Sequence, residues 1–302
     1  MTRSGILLVD KPGGWTSHDI VARTRRLAET RKVGHAGTLD PMATGLLILG
    51  INSSTRLLTY IVGTDKEYLA TIRLGAATST DDAEGELVAK ASAAAIAGVH
   101  EAAILAGITD LTGEIEQVPS SVSAIKVDGK RAYARVRAGE QVVLEARPVT
   151  IEEFEVLGLR RSAEAIDVDV RVVCSSGTYI RSLARDLGAA LGVGGHLTAL
   201  RRTRVGPFLV EDARPIDDLD VPSRLIPAPD AASILFERFE LNDQQAIDLT
   251  HGKRIHVPDR QNGSGVPVAA IAPTGQLVGL IEFRGKEARS LVNFPTDEIA
   301  TA

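Results

Sequence analysis

One cysteine, Cys174, stands in 302 residues, so the chain can close no internal disulfide and offers no cysteine cluster for zinc. Aromatic residues are scarce as well, at 4% with a single tryptophan and four tyrosines. No segment approaches the roughly 20 apolar residues of a membrane span. Residues 1–30 have no apolar run ending in a small-residue cleavage site, so neither a membrane protein nor a secreted one is expected. There is also no low-complexity tract and no internal repeat. A soluble, cytoplasmic protein is the default expectation, with a hydrophobic content of 44% sufficient for ordinary cores and a length that fits two domains.

A strong positive charge is missing too. The formal net charge is −5, which argues at first against a nucleic-acid partner. The distribution reverses that expectation. Residues 81–117 carry eight acids and one base, and residues 211–240 carry eight and three. Bases exceed acids by seven to four in residues 1–40, by six to three in 120–147 and by eight to four in 160–204. Local potential attracts a phosphate backbone, since screening sets in beyond about 10 Å at ordinary salt. The segregation is compatible with one basic face.

What is present is a set of distinctive blocks. GILLVDKP (5–12) reads as a buried strand closed by proline. Thr16 and Asp19 have capping-box spacing, followed by Ile20, Val21, Leu27 and Ala28 on one helical face. Next comes GHAGTLDPMATGLL (34–47). Gly34 and Gly37 permit turns, proline keeps Asp40 extended, and Pro41 can open a helical turn. Asp40 thus projects beside His35, either as a plain N-cap or as a reactive carboxylate. LLILGI (46–51), EYLATIRL (67–74), VTIEEFEVLGL (149–159), AIDVDVRVVC (165–174) and HLTALRRTRVGPF (196–208) read as strands, and 93–106 as one alanine-rich helix. Residues 76–86 form a polar loop, with a strand starting near Leu87.

Asp128-Gly129 signals a hairpin turn among Lys126, Lys130, Arg131, Arg135 and Arg137, with Tyr133 between them. That pattern suits an RNA-gripping arm or a solvated hairpin equally. Residues 174–192 pass from strand into a helix with Ile180, Leu183, Ala184 and Leu187 on its apolar face. Arg181 stands in its first turn, where the helix dipole favours anions, so a carboxylate or phosphate partner is expected nearby. Proline and acid thicken over 212–230, which reads as a linker, and 266–283 as a β-hairpin with a Pro-Thr-Gly turn.

Six of these blocks, GILLVDKPGGWTSHD, VGHAGTLDPMATGLL, DKEYLATIRLG, SAIKVDGKRAYARVRAGE, CSSGTYIRSLARDLG and HLTALRRTRVG, closely resemble, in this order, the TruB family of tRNA pseudouridine synthases. The resemblance spans about residues 5–208. It implies an α+β fold: a mixed, largely antiparallel sheet with flanking helices and a central cleft. The implied domains are a catalytic one over 1–228, with a thumb-like RNA-binding insertion at 120–147, and a small β-rich PUA-like one over 229–302. It further implies that Asp40 is catalytic, that Tyr68 and Arg181 serve the active site, and that His35 helps the target base leave its loop. Lys126, Lys130 and Arg131 of the thumb are expected on RNA, as are Lys11, Tyr179 and Arg202, for each of which packing or structural pairing is the competing role. His18 and His196 receive no role.

The implied reaction is isomerisation of the T-loop uridine at tRNA position 55. It breaks the N1–C1′ bond, turns the uracil and joins C5 to C1′. No electron or external group enters, so no metal and no cofactor is called for. The base must first flip out at an unstacking cost of a few kcal/mol. Tyr68 supplies a stacking face, and Arg181 is expected to pair with Asp40 and favour its carboxylate. Asp40 then attacks C6 or C1′, or takes a sugar proton. The T-arm of tRNA is the one required partner, and the protein is expected to act alone as a monomer. The competing readings are a non-catalytic tRNA-binding or folding chaperone on the same scaffold, and a guide-dependent H/ACA-type synthase. The 120–147 insertion favours the stand-alone form.

Overall fold

The computed structural model describes residues 3–120, 126–127, 130–131, 144–258 and 265–295. In chain order the elements are β1 (Gly5–Lys11), α1 (Ser17–Leu27), β2 (Val33–Ala36), β3 (Thr44–Ile51), α2 (Leu58–Val62), β4 (Lys66–Leu74), β5 (Ala76–Thr78) and β6 (Leu87–Lys90). There follow α3 (Ala93–Gly98), α4 (Glu101–Asp110), β7 (Gly113–Gln117), β8 (Lys126–Val127), β9 (Lys130–Arg131), β10 (Arg147–Arg161), β11 (Ile166–Cys174), α5 (Ile180–Ala190) and β12 (Gly195–Val205). The chain divides into two compact units. One comprises Met1–Asp40, Leu46–Val62 and Pro207–Ala302, the other Pro41–Gly45 and Gly63–Gly206.

The second unit is built on an antiparallel sheet in the order β12-β4-β11-β10-β7. Period-two alternation explains why. On β4 the residues Lys66, Tyr68, Ala70, Ile72 and Leu74 are buried, and the residues between them are not. On β11, Ile166, Val168, Val170 and Val172 repeat the pattern. Helix α5 covers the buried face with Ile180, Leu183, Ala184 and Leu187. It lies close because Gly188 has no side chain: a Cβ there would stand 2.1 Å from the Gly195 nitrogen.

The opposite face of this sheet carries charge in ladders. Arg73 pairs with Asp167 at 2.7 Å, Arg171 with Glu67 at 2.7 Å, and Arg160 with Asp169. Arg204 reaches Asp65 at 2.6 Å. Several arginines that made residues 160–204 look like a basic face are therefore neutralised by carboxylates across the strands. A count along the sequence cannot see this, because the partners lie up to 139 positions away (Arg204 and Asp65).

In the first unit β1 lies between β3 and residues Arg214–Pro215, and β2 pairs antiparallel with β3. Residues 212–230 are not a linker. Arg214–Pro215 run parallel to β1, Ile226–Pro227 antiparallel to it, and Ala213, Ile216, Leu219 and Val221 between the acids are buried. Acid and proline content disguised an apolar series that packs. The C-terminal part holds a five-stranded sheet, ordered Arg238–Glu240, Val268–Ile271, Leu277–Arg284, Glu287–Asn293 and Ile255–His256, over a core including Leu249, Ile281 and Phe283. Its Pro-Thr-Gly turn is present, with Gly275 at φ 81°.

Two further expectations are corrected. The alanine-rich helix is two, α3 and α4, because Val99 is extended and His100 starts α4. Pro41 opens no helix: residues 41–43 are irregular and β3 begins at Thr44, so Asp40 is not a helix N-cap. The Asp128-Gly129 hairpin has its strands, with Lys126 opposite Arg131 and Val127 opposite Lys130. The side chains of Lys126, Lys130 and Arg131 lie outside the described residues, as does 132–143 with Tyr133. Among the described residues no helix is long and apolar enough to cross a membrane.

Candidate active site

Asp40 stands at the middle of the seven-residue path (37–43) that joins the antiparallel strands β2 and β3. Gly37 adopts φ 82°, a left-handed conformation that starts the turn out of β2. Leu39 is buried, and the Ser17 hydroxyl holds its backbone twice. Ser17 Oγ donates to the Leu39 carbonyl at 3.1 Å and accepts from the Leu39 N–H at 2.9 Å. On the far side, Gly45 approaches β12 so closely that a Cβ would lie 2.2 Å from the Arg202 carbonyl oxygen. The residue before Asp40 is thus held by a hydroxyl, and Gly45 at the start of β3, five residues after Asp40, sits against β12.

The turn that supplies Ser17 is itself braced. Thr16 Oγ accepts from the Asp19 N–H at 3.1 Å, and Asp19 accepts from the Thr16 N–H at 2.9 Å, closing the expected capping box. Those Thr16 bonds hold the Asp19 carboxyl below its ordinary range. Ahead of α1, Lys11 is fully buried, and its ammonium donates to the carbonyls of Pro12 at 2.9 Å and Trp15 at 2.7 Å. It thus shapes the entry to α1. His18, without an expected role, meets the half-buried His35 edge-on, with ring centroids 5.6 Å apart.

In the other unit, Tyr68 lies on the buried face of β4, opposite Val172 of β11 and Arg202 of β12. Directly paired residues present their side chains on the same face, so Tyr68 and Arg202 are neighbours by register. Arg202 is 1% exposed and Lys66, two residues before Tyr68 on the same face, is 6% exposed. Lys66 donates to the Thr64 carbonyl at 2.6 Å. Burial, with the Arg202 charge adding to it, lowers the Lys66 ammonium to about 8. Cys174, opposite Lys66, has its thiol pushed up to about 11 by burial, which makes it a packing residue and not a nucleophile.

Arg181 is 3% exposed. Its Nη1 donates to the Thr80 carbonyl at 2.8 Å and Ser120 Oγ at 3.2 Å, and lies 3.5 Å from the equally buried Asp82 carboxylate. A carboxylate thus stands where the opposed helix dipole called for one. Four residues on, Arg185 reaches Asp81 at 3.4 Å and the Val118 carbonyl at 2.7 Å. Two arginines one helical turn apart therefore grip consecutive acids. Burial raises the Asp81 carboxyl against the pull of Arg185. The half-buried Tyr179 at the head of α5 is held through its backbone: its N–H donates to Gln117 Oε1 at 2.8 Å, and Gln117 Nε2 donates to its carbonyl at 3.1 Å. Among the described residues no group of three His, Cys, Asp or Glu could hold a metal ion.

The TruB family pseudouridylate synthase N-terminal domain model matches residues 25–180. The C-terminal domain model of tRNA pseudouridylate synthase B matches 181–223, and that of tRNA pseudouridine synthase II matches 236–295. The chain belongs to the TruB family. It is similar to the tRNA pseudouridine synthase B of Leifsonia xyli subsp. xyli, 71% identical over 99% of each chain. It is also similar to the enzyme of the same name from Arthrobacter sp. (strain FB24), 58% identical over 98% of each. Among solved structures, the fold matches a chain of an H/ACA RNP bound to a substrate RNA containing 2′-deoxyuridine. The TM-score is 0.71 at 26% identity, covering 97% of this chain and 86% of that one.

Within this TruB-family chain, sequence reasoning missed Ser17, Gln117 and Asp82. Asp82 had a legible signal: adjacent acids in a loop and two arginines four positions apart on a helix. Ser17 and Gln117 had none, because each bonds main-chain atoms of a distant residue.

Proposed function

We propose that this protein isomerises the uridine at position 55 of the tRNA T-loop to pseudouridine, acting alone as a monomer in the cytoplasm. In this reading Asp40 is the catalytic carboxylate that initiates the exchange, and it needs no metal or cofactor. The N1–C1′ bond breaks, C5 bonds to C1′, the C5 proton leaves and N1 gains a proton, so atoms and charge balance. Tyr68 stacks on the flipped uracil, and His35 occupies space the base leaves behind. Arg181 supports the Asp40 carboxylate in its charged form. Lys126, Lys130 and Arg131 of the hairpin contact the T-arm backbone, with Lys11, Tyr179 and Arg202 as further RNA-side positions.

The observation that carries this reading is the restraint on Asp40. A reactive group has to be held in place before substrate arrives; the residue before Asp40 is held by two hydrogen bonds, and residues 41–43 form no helix for its carboxylate to cap. Relatives named for tRNA pseudouridine synthesis at 71% and 58% identity support the substrate class. The test is to incubate the pure protein with an unmodified tRNA transcript and map pseudouridine at nucleotide resolution. A single pseudouridine at position 55 is expected. Modification elsewhere, or none until a guide RNA or second protein is added, overturns the proposal.

A further inference from the structure

We propose that Ser17 is a positioning residue for the reaction, setting the place and direction of Asp40 through the backbone of Leu39. The inference rests on the reading of Asp40 as the catalytic carboxylate. Ser17 is 1% exposed, and its single hydroxyl serves as donor and acceptor to the same residue, at 3.1 Å to the Leu39 carbonyl and 2.9 Å from the Leu39 N–H. One bond would restrain a distance. Two bonds, to the groups on either side of one Cα, restrain the orientation of the residue, and the Leu39 carbonyl carbon is bonded directly to the Asp40 nitrogen.

Helix capping does not require this hydroxyl. Thr16 is the N-cap of α1 and forms its capping box with Asp19, leaving Ser17 as the first helical residue. Among the described residues, both bonds of this hydroxyl run to the Leu39 backbone, across 22 positions of sequence. The buried Leu39 side chain anchors the same residue. Gly37, at φ 82°, marks the turn that would otherwise allow the path to swing. Helix α1, whose buried Ile20, Val21 and Thr24 fasten it to the core, is the rigid body to which the hydroxyl ties the catalytic loop.

Ser17→Ala keeps the helix and removes both bonds. A displacement of about 1 Å at a reacting group can cost on the order of a hundredfold in rate. The expected result is a single-turnover rate, with saturating enzyme, lower by about tenfold to a hundredfold, and a tRNA Kd within about twofold of wild type. The deficit persists at temperatures well below the melting point, which a loss of folded protein would not produce. Ser17→Thr, which retains the hydroxyl, is faster than Ser17→Ala. If Ser17→Ala fails to fold, Ser17→Cys fills the same space with a weak donor and carries the same comparison. A rate for Ser17→Ala or Ser17→Cys within about twofold of wild type overturns the role of Ser17. Measured in parallel, an inactive Asp40→Asn beside a normal Ser17→Ala removes the Ser17 inference alone, whereas an active Asp40→Asn removes the assignment of Asp40 itself.

Discussion

The backbone of Leu39 and the guanidinium of Arg181 are both held by groups far away in sequence, but by different physics. Leu39 is held by a neutral hydroxyl through two directional bonds. Arg181 is held by a buried carboxylate at 3.5 Å together with a carbonyl and a hydroxyl at shorter range. A neutral pair fixes orientation at small energetic stakes, since each such bond contributes about 1 kcal/mol net. A buried charge pair resists separation strongly, because either partner left alone has lost its solvation. The first arrangement suits a group that must point accurately. The second suits a loop, here 78–82, that must stay fastened to α5.

The comparison breaks first, and with the largest effect, at Asp82. Asp82→Ala removes the buried carboxylate that lies 3.5 Å from the Arg181 guanidinium, and urea unfolding should show a loss of about 3 kcal/mol or more. Ser17→Ala should lose only about 1–2 kcal/mol by the same measurement. Equal losses would show that the two restraints are energetically alike and that charge is not what distinguishes them. Arg181→Lys separates charge from geometry, because lysine keeps the cation and loses the planar guanidinium whose Nη1 meets Thr80, Ser120 and Asp82. Its single-turnover rate should fall nearly as far as that of Arg181→Met. A near-normal rate would mean that charge suffices.

A smaller effect sharpens the comparison at Lys66, a buried cation held by a carbonyl at 2.6 Å and lowered to about 8 by burial. Between about 8 and the ordinary value of 10.5 the unfolded chain binds the Lys66 proton more often than the folded one does. Stability therefore rises with pH across that window, and the penalty for burying the charge is fully present below about 8. Melting curves of wild type and Lys66→Met should accordingly shift in favour of wild type as pH is raised from about 8 to 10.5. A pH-independent difference would place the lowered ionisation in doubt.

Much of this architecture was legible in the sequence. Alternation in 67–74 and 165–174 announced strands, observed over 66–74 and 166–174, because burying one sheet face demands a period of two. The Thr16–Asp19 box marked the start of α1, and the opposed dipole at Arg181 foretold a carboxylate. The failures share a cause. Composition read 212–230 as a linker because it records acids and prolines but not that Ile216 and Val221 are buried among them. Charge counting left 160–204 compatible with a basic face because it cannot pair Arg204 with Asp65. Pro41 looked like a helix opener because proline tolerates that position; the pairing of Thr44 and Gly45 with β12 draws the chain into a strand instead. In each case a tertiary partner decided what a local preference left open.

The role of Asp40 is tested most directly by Asp40→Asn, which keeps the size of the side chain and one acceptor oxygen but not its charge or nucleophilicity. Wild-type protein and variant are mixed in turn with a tRNA transcript tritiated at C5 of uridine, and release of tritium to water is followed under single-turnover conditions. The account predicts stoichiometric release with wild type, none with Asp40→Asn, and a tRNA Kd for the variant within about tenfold, or about 1.4 kcal/mol, of wild type. Tritium release by Asp40→Asn at the wild-type rate would contradict it.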